Sequence, residues 1–256
     1  MSSLDTSLIV FGCVFSSALA GMFLSRKLPV SNLGPDSKDV VRLGMGLVST
    51  TVAVALGLLI SSAKFFFDTQ SNEVTQLAAN YILLDQILGE YGPEASDVRY
   101  ALRDGLTNLL GDDGYLQGFK KPNKSYTDIK SGARVGEGII AKLQALSPKD
   151  DNQKSLKAEA QSLVFQLGQT RWLIFEQNVV PLPRLLLFML VGWLMVLFLS
   201  FGIFAPRNST VLAGMCMAAL AVCGAILLIL EMYHPQVGLI RVSDAPLRAA
   251  LQQIER

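Results

Sequence analysis

Residues 185–205 read LLLFMLVGWLMVLFLSFGIFA and residues 211–230 read VLAGMCMAALAVCGAILLIL, with only PRNST between them. Two similar uncharged runs lie at residues 8–24 and 43–63. Each run has about 17–21 residues, and an α-helix of that length spans about 26–32 Å, the thickness of the hydrocarbon core of a bilayer. Because the backbone must satisfy its own hydrogen bonds in lipid, the four runs are predicted to be membrane-spanning helices.

The overall composition hides a strong segregation of charge. Charged residues make up 17% of the chain, against about 25% in ordinary soluble domains, and almost all of them lie outside the four runs. Four such runs in 256 residues argue against buried core helices of a soluble protein. The first run is predicted to be a retained span rather than a signal peptide, because Asp5 precedes it and the basic residues Arg26 and Lys27 follow it.

The order of these segments predicts an all-α polytopic membrane protein. Spans one and two occupy residues 1–63, a soluble helical domain residues 64–184, spans three and four residues 185–230, and a C-terminal tail residues 231–256. Apolar residues at helical spacing predict domain helices at about 74–88, 94–110, 134–146 and 151–177. A polar loop is expected at 111–130, and Pro181 and Pro183 are expected to break or kink the entry to span three.

Basic residues near the spans predict an orientation. Arg26 and Lys27 follow span one, and Arg207 lies between spans three and four. By the positive-inside rule these two linkers are cytoplasmic, which places both termini and the helical domain outside.

The sequence shows no set of residues suited to catalysis or to holding a cofactor. The one histidine, His234, has no nucleophile motif beside it, and all three cysteines lie inside spans, which disfavours disulfide and zinc sites. A net charge of +1 gives no argument for nucleic acid. We therefore predict no enzyme activity, no metal and no cofactor.

Span two carries a stripe of small and polar residues, which we call the polar stripe: Gly46, Thr50, Ala53, Gly57, Ser61 and Lys64. At about 100° per residue these six fall within a sector of about 80°. Such a face either lets helices approach closely or lines a path for water or ions. Comparable small residues on spans one and four favour close packing alone: Gly12, Ser16 and Ala20, and Gly214, Ala218, Ala221 and Ala225.

Three consecutive aromatic residues, Phe65, Phe66 and Phe67, follow the polar stripe. They are interpreted either as an aromatic belt at the membrane interface or as a hydrophobic constriction that gates by dewetting.

Several motifs resemble the bestrophin-like family of bacterial membrane proteins. They are FDTQSNEVTQLAAN at 67–80, ILLD at 82–85, YGPE at 91–94, RWLIFE at 171–176, FLSFGIFAPRN at 198–208, and GLIRVS with PLR at 238–243 and 246–248. The family's acidic-Arg-Pro-Phe arrangement after span four is replaced here by EMYHPQ, so no role is carried over for that turn.

The resemblance implies distant similarity to bestrophins, which are oligomeric ion channels, mostly for anions, with the second span along the pore. It also implies that the helical domain and both termini are cytosolic, opposite to the orientation that the basic residues favour.

Two functional hypotheses follow. The first is a homo-oligomeric ion channel in the bacterial inner membrane, whose partners are the lipid bilayer, further copies of the chain and the conducted ions. The second is a non-conducting membrane scaffold or sensor whose soluble helical domain binds a partner.

Overall fold

The computed structural model describes residues 3–27, 35–111, 136–177, 184–206, 208–234 and 239–255. These residues are mostly α-helical and contain no strand, which confirms the all-α class. The helices are α1 (Ser3–Leu24), α2 (Pro35–Tyr91), α3 (Ser96–Leu110), α4 (136–145), α5 (Asp151–Gln177), α6 (Arg184–Phe204), α7 (Ser209–Met232) and α8 (Ala245–Ile254), with a 3₁₀ turn at Pro93–Ala95. The predicted polar loop lies outside the described residues except for Gly111, and so do Pro181 and Pro183.

Among the described residues, four helices are long and apolar enough to span a membrane: α1, α2, α6 and α7. This confirms the prediction of four spans in two pairs. The second helix differs from expectation because its 57 residues join span two to the predicted domain helix at 74–88. The segment between Gly57 and Gly89 contains neither proline nor glycine, so nothing interrupts the helical hydrogen bonds. The helix ends at Tyr91, and the next residue, Gly92, has a φ of 118°, which suits glycine.

The chain forms two compact units. The membrane unit comprises Met1–Phe66 and Pro181–Tyr233, and the helical-domain unit comprises Phe67–Val180 and His234–Arg256. Helix α2 contributes its first part to the membrane unit and its last part to the helical-domain unit.

Close contact in the membrane unit is concentrated where α1 crosses α6. A Cβ atom on Gly21 would lie 2.1 Å from the Leu199 carbonyl oxygen, and one on Gly202 would lie 2.1 Å from the Ala18 carbonyl oxygen. The two backbones therefore touch in a way that only glycine permits. The Ser7 hydroxyl also donates to the Cys223 carbonyl 3.1 Å away and links α1 to α7.

The small residues that we expected to mediate packing on α1 and α7 do not do so within the described part of the chain. Gly12 and Gly214 have no atom within 4 Å of an added Cβ. Ala225 is only half-buried. The other four of these seven residues are exposed: Ser16, Ala20, Ala218 and Ala221. Contacts inside one chain therefore do not account for these small residues, and close packing against a neighbouring copy stays a prediction, because spacing identifies a face of small residues but not the neighbour that it meets.

The helical-domain unit has its own apolar core, to which α8 contributes Leu247, Ala250 and Ile254. Arg99 on α3 donates from Nε and Nη2 to the two carboxylate oxygens of Asp85 on α2, at 2.7 and 2.8 Å. This bidentate contact raises the pKa of Arg99 above its ordinary value. The Gln153 amide nitrogen donates to the Tyr91 carbonyl oxygen at 2.9 Å and joins α5 to the end of α2.

Candidate ion-conducting face of α2

The membrane part of α2 has one buried face and one uncovered face. Val52, Leu59 and Ala63 are buried in the core of the membrane unit. The polar stripe is centred about 140° around the helix from those three residues. All six of its members, Gly46, Thr50, Ala53, Gly57, Ser61 and Lys64, are exposed in the single chain.

The glycines of the polar stripe make no close helix contact within the described residues. A Cβ atom on Gly46 or on Gly57 would meet no atom within 4 Å, in contrast to Gly21 and Gly202. Packing inside one chain therefore does not account for these two glycines, and their effect is to leave space beside α2.

The hydroxyl groups on this part of α2 are partly engaged by the helix itself. Thr50 Oγ1 donates to the Gly46 carbonyl oxygen at 2.6 Å and lies 3.2 Å from the Leu47 carbonyl oxygen. Its neighbour Thr51 donates to the Leu47 carbonyl oxygen at 2.9 Å. With its proton directed to the backbone, the exposed Thr50 oxygen presents lone pairs to its surroundings, and rotation of the hydroxyl would present the proton instead.

The three phenylalanines have three different environments. Phe65 is 74% exposed and lies about 40° around the helix from Ser61, at the edge of the polar stripe. Phe66 is half-buried and stacks on Tyr233 of α7's C-terminal cap, with ring centroids 5.4 Å apart. Phe67 packs against the apolar core of the helical-domain unit. Of the three constriction candidates, only Phe65 is turned away from the core of its own unit.

Tyr233 is a residue of this region that the sequence did not identify. Tyr233 stacks on Phe66, and its hydroxyl lies 3.0 Å from the Ser62 hydroxyl. These two contacts attach the end of α7 to α2 next to Phe65. The position of Tyr233 just after span four was the only available signal, because a contact across 171 residues leaves no periodic trace in one sequence.

Comparisons with known proteins agree with this architecture. The sequence profile described as Bestrophin-like domain matches residues 12–247. A variant of a bacterial bestrophin homologue from Klebsiella pneumoniae superimposes with a TM-score of 0.66 at 15% identity, covering 100% of this chain and 96% of its own. A second variant gives a TM-score of 0.67 at 12% identity, with 97% of each chain covered.

The structure of that homologue obtained by Zn-SAD phasing gives a TM-score of 0.59 at 16% identity, covering 94% of this chain and 95% of its own. At these identities the likeness shows a shared fold. Among curated proteins none matches the chain. The family profile spans nearly the whole sequence, and the chain therefore belongs to the bestrophin-like family of integral membrane proteins.

Proposed function

We propose that this protein is a homo-oligomeric ion channel of the bacterial inner membrane, in which the polar stripe of α2 lines the conduction path. The observation that carries the proposal is the exposure of all six stripe residues on the side of α2 turned away from its own core. Membership of the bestrophin-like family supports a channel, because bestrophins are ion channels.

Self-association is supported by how little of α2 the single chain covers. In the 18-residue apolar stretch of α2, 11% of the residues are buried inside the chain. The corresponding stretches of α1 and α6 are each 33% buried. A face that carries Thr50, Ser61 and Lys64 is unfavourable against lipid, since polar groups in the membrane favour protein or water. Further copies arranged around an aqueous axis would remove this face from lipid.

The residues along this face suit the passage of ions. Gly46, Ala53 and Gly57 leave room, while Thr50 and Ser61 provide hydroxyl groups that can replace part of an ion's hydration shell. Lys64 adds a positive charge at one end. Phe65 follows directly, and in a ring of copies its exposed side chain would form an apolar constriction there.

A matched pair of threonine substitutions tests the proposal in planar bilayers that contain the purified protein. Thr50→Trp places a bulky side chain on the polar stripe, and Thr51→Trp places the same side chain about 120° around the helix from its centre. Unitary conductance is expected to fall several-fold with Thr50→Trp and to change little with Thr51→Trp. Light scattering on each variant checks that the oligomer forms.

Two results would refute the proposal. Equal conductance in wild type and assembled Thr50→Trp protein would show that the stripe does not line the path. Silent bilayers that contain inserted and assembled wild-type protein would favour the scaffold or sensor, whose partner binding is then expected to require residues 68–180.

A further inference from the structure

A cleft of about 360 Å³ opens between the last turn of α1 and the first turn of α7, inside the membrane unit. Its walls are apolar and come from both helices: Leu19, Met22, Phe23 and Leu212. Three polar residues at or just beyond the helix ends also line it, and we call them the polar rim: Arg26, Asn208 and Ser209. The volume falls within the range of about 300–1,000 Å³ that is usual for small-molecule sites.

The end of α1 is built so that its basic residues stay beside this cleft. The Ser25 amide donates to the Gly21 carbonyl oxygen at 3.0 Å, and the Arg26 amide donates to the Phe23 carbonyl oxygen at 3.1 Å. These bonds form a turn directly after Leu24 and hold the backbone of Arg26 in place. Lys27 Nζ lies 5.4 Å from the centroid of the Phe23 ring, so a second cation stands over a wall residue.

The cleft lies where two membrane-spanning helices end. The 22 residues of α1 cover about 33 Å, slightly more than the thickness of about 30 Å of the hydrocarbon core. The polar rim is therefore expected at the level of the lipid headgroups, while the apolar walls extend toward the acyl chains. This combination of walls and rim is amphipathic in the same sense as a phospholipid.

We propose that this cleft binds an anionic phospholipid. Arg26 pairs with the phosphate through charge-assisted hydrogen bonds, and Asn208 and Ser209 bond the polar headgroup. The first methylenes of the acyl chains lie against Leu19, Phe23 and Leu212. Four of the seven lining residues are apolar, which favours a lipid over a free phosphate ion. The proposal does not depend on ion conduction, because no lining residue belongs to the polar stripe.

The test uses the full-length protein, purified and delipidated in neutral detergent, and native mass spectrometry. Short-chain phosphatidylglycerol is titrated against short-chain phosphatidylcholine and against inorganic phosphate. Arg26→Gln removes the proposed charge, and Leu212→Trp fills the cleft without a change of charge. Arg42→Gln is the matched control, since Arg42 is an exposed cation of the same unit that does not line the cleft.

The wild type is expected to bind phosphatidylglycerol more tightly than phosphatidylcholine. Arg26→Gln should weaken that binding about fivefold, the effect typical of one cation near a lipid surface. Leu212→Trp should weaken it as well, and Arg42→Gln should leave it unchanged.

Three results would overturn the proposal. The first is equal binding of the two lipids, which would exclude the charge contact. The second is unchanged affinity in folded Arg26→Gln protein. The third is competition by inorganic phosphate alone at the same concentration, which would identify a simple anion site.

Discussion

At the residue scale, two glycines in spans have opposite surroundings and therefore predict opposite mutational effects. An added Cβ on Gly202 would lie 2.1 Å from the Ala18 carbonyl oxygen, whereas one on Gly57 would meet nothing within 4 Å. Gly202→Ala is expected to lower the free energy of unfolding by about 1–3 kcal/mol through overpacking. Gly57→Ala should be neutral or slightly stabilising, since alanine favours helices.

Thermal unfolding of the two variants in the same detergent checks this difference. A lower midpoint for Gly202→Ala alone supports the contact between α1 and α6. Equal midpoints for the two alanine variants would show that the helices do not touch at Gly202.

The aromatic residues at the end of the membrane part of α2 give a second prediction at this scale. If Phe65 forms the constriction, Phe65→Ala should raise unitary conductance or open probability and leave thermal stability nearly unchanged, because its side chain is 74% exposed. Phe66→Ala should instead lower thermal stability, because it removes the stacking on Tyr233. Single-channel recording and thermal unfolding of both variants separate these effects. Phe65→Ala currents identical to those of wild type would remove Phe65 from the path.

The difference in burial between Phe65 and Phe66 can be predicted in part from the sequence. At about 100° per residue, Phe66 falls near the face of Val52 and Ala63, which the structure buries. The partner of that face, Tyr233, could not be found, because a single sequence does not specify which helices are neighbours.

At the element scale, the bidentate contact between Asp85 and Arg99 fastens α3 to α2. Asp85 is 8% exposed, so Asp85→Asn removes a charge-assisted partner in a mostly buried position. The free energy that protects α3 from local opening should fall by about 1–3 kcal/mol. Hydrogen exchange of the α3 amides measures this loss.

The double variant with Arg99→Gln provides the control. If the two residues act through each other, the effect of Asp85→Asn should shrink once Arg99 is replaced. Fully additive effects on exchange would show that the two side chains stabilise α3 independently.

The elements themselves were largely predictable. Span lengths and apolar periodicity located α1, α5, α6 and α7 within a few residues, since burial in lipid or in a core imposes a regular pattern. The continuity of α2 does not follow from composition, because the change from apolar to polar residues near Lys64 resembles a boundary between two helices. Composition indicates whether a segment lies in lipid or in water. Helix continuity depends instead on the absence of proline and glycine between Gly57 and Gly89.

At the scale of the whole molecule, the sequence predicts four spans and a helical domain. It does not predict how copies of the chain assemble. The sequence located the polar stripe by spacing alone, and its exposure could be seen only once the buried face of α2 was known. What covers an exposed face depends on neighbouring chains, and these leave no periodic signal.

Cysteine accessibility shows whether ions pass along the polar stripe. In a background that lacks Cys13, Cys216 and Cys223, Ala53→Cys lies on the stripe and Ala55→Cys lies two residues away on the half-buried face. A charged methanethiosulfonate reagent is applied while the current across a bilayer is recorded. We expect irreversible block of the current through Ala53→Cys protein and unchanged current through Ala55→Cys protein. Block at Ala55→Cys alone, or at neither position in conducting protein, would contradict this expectation.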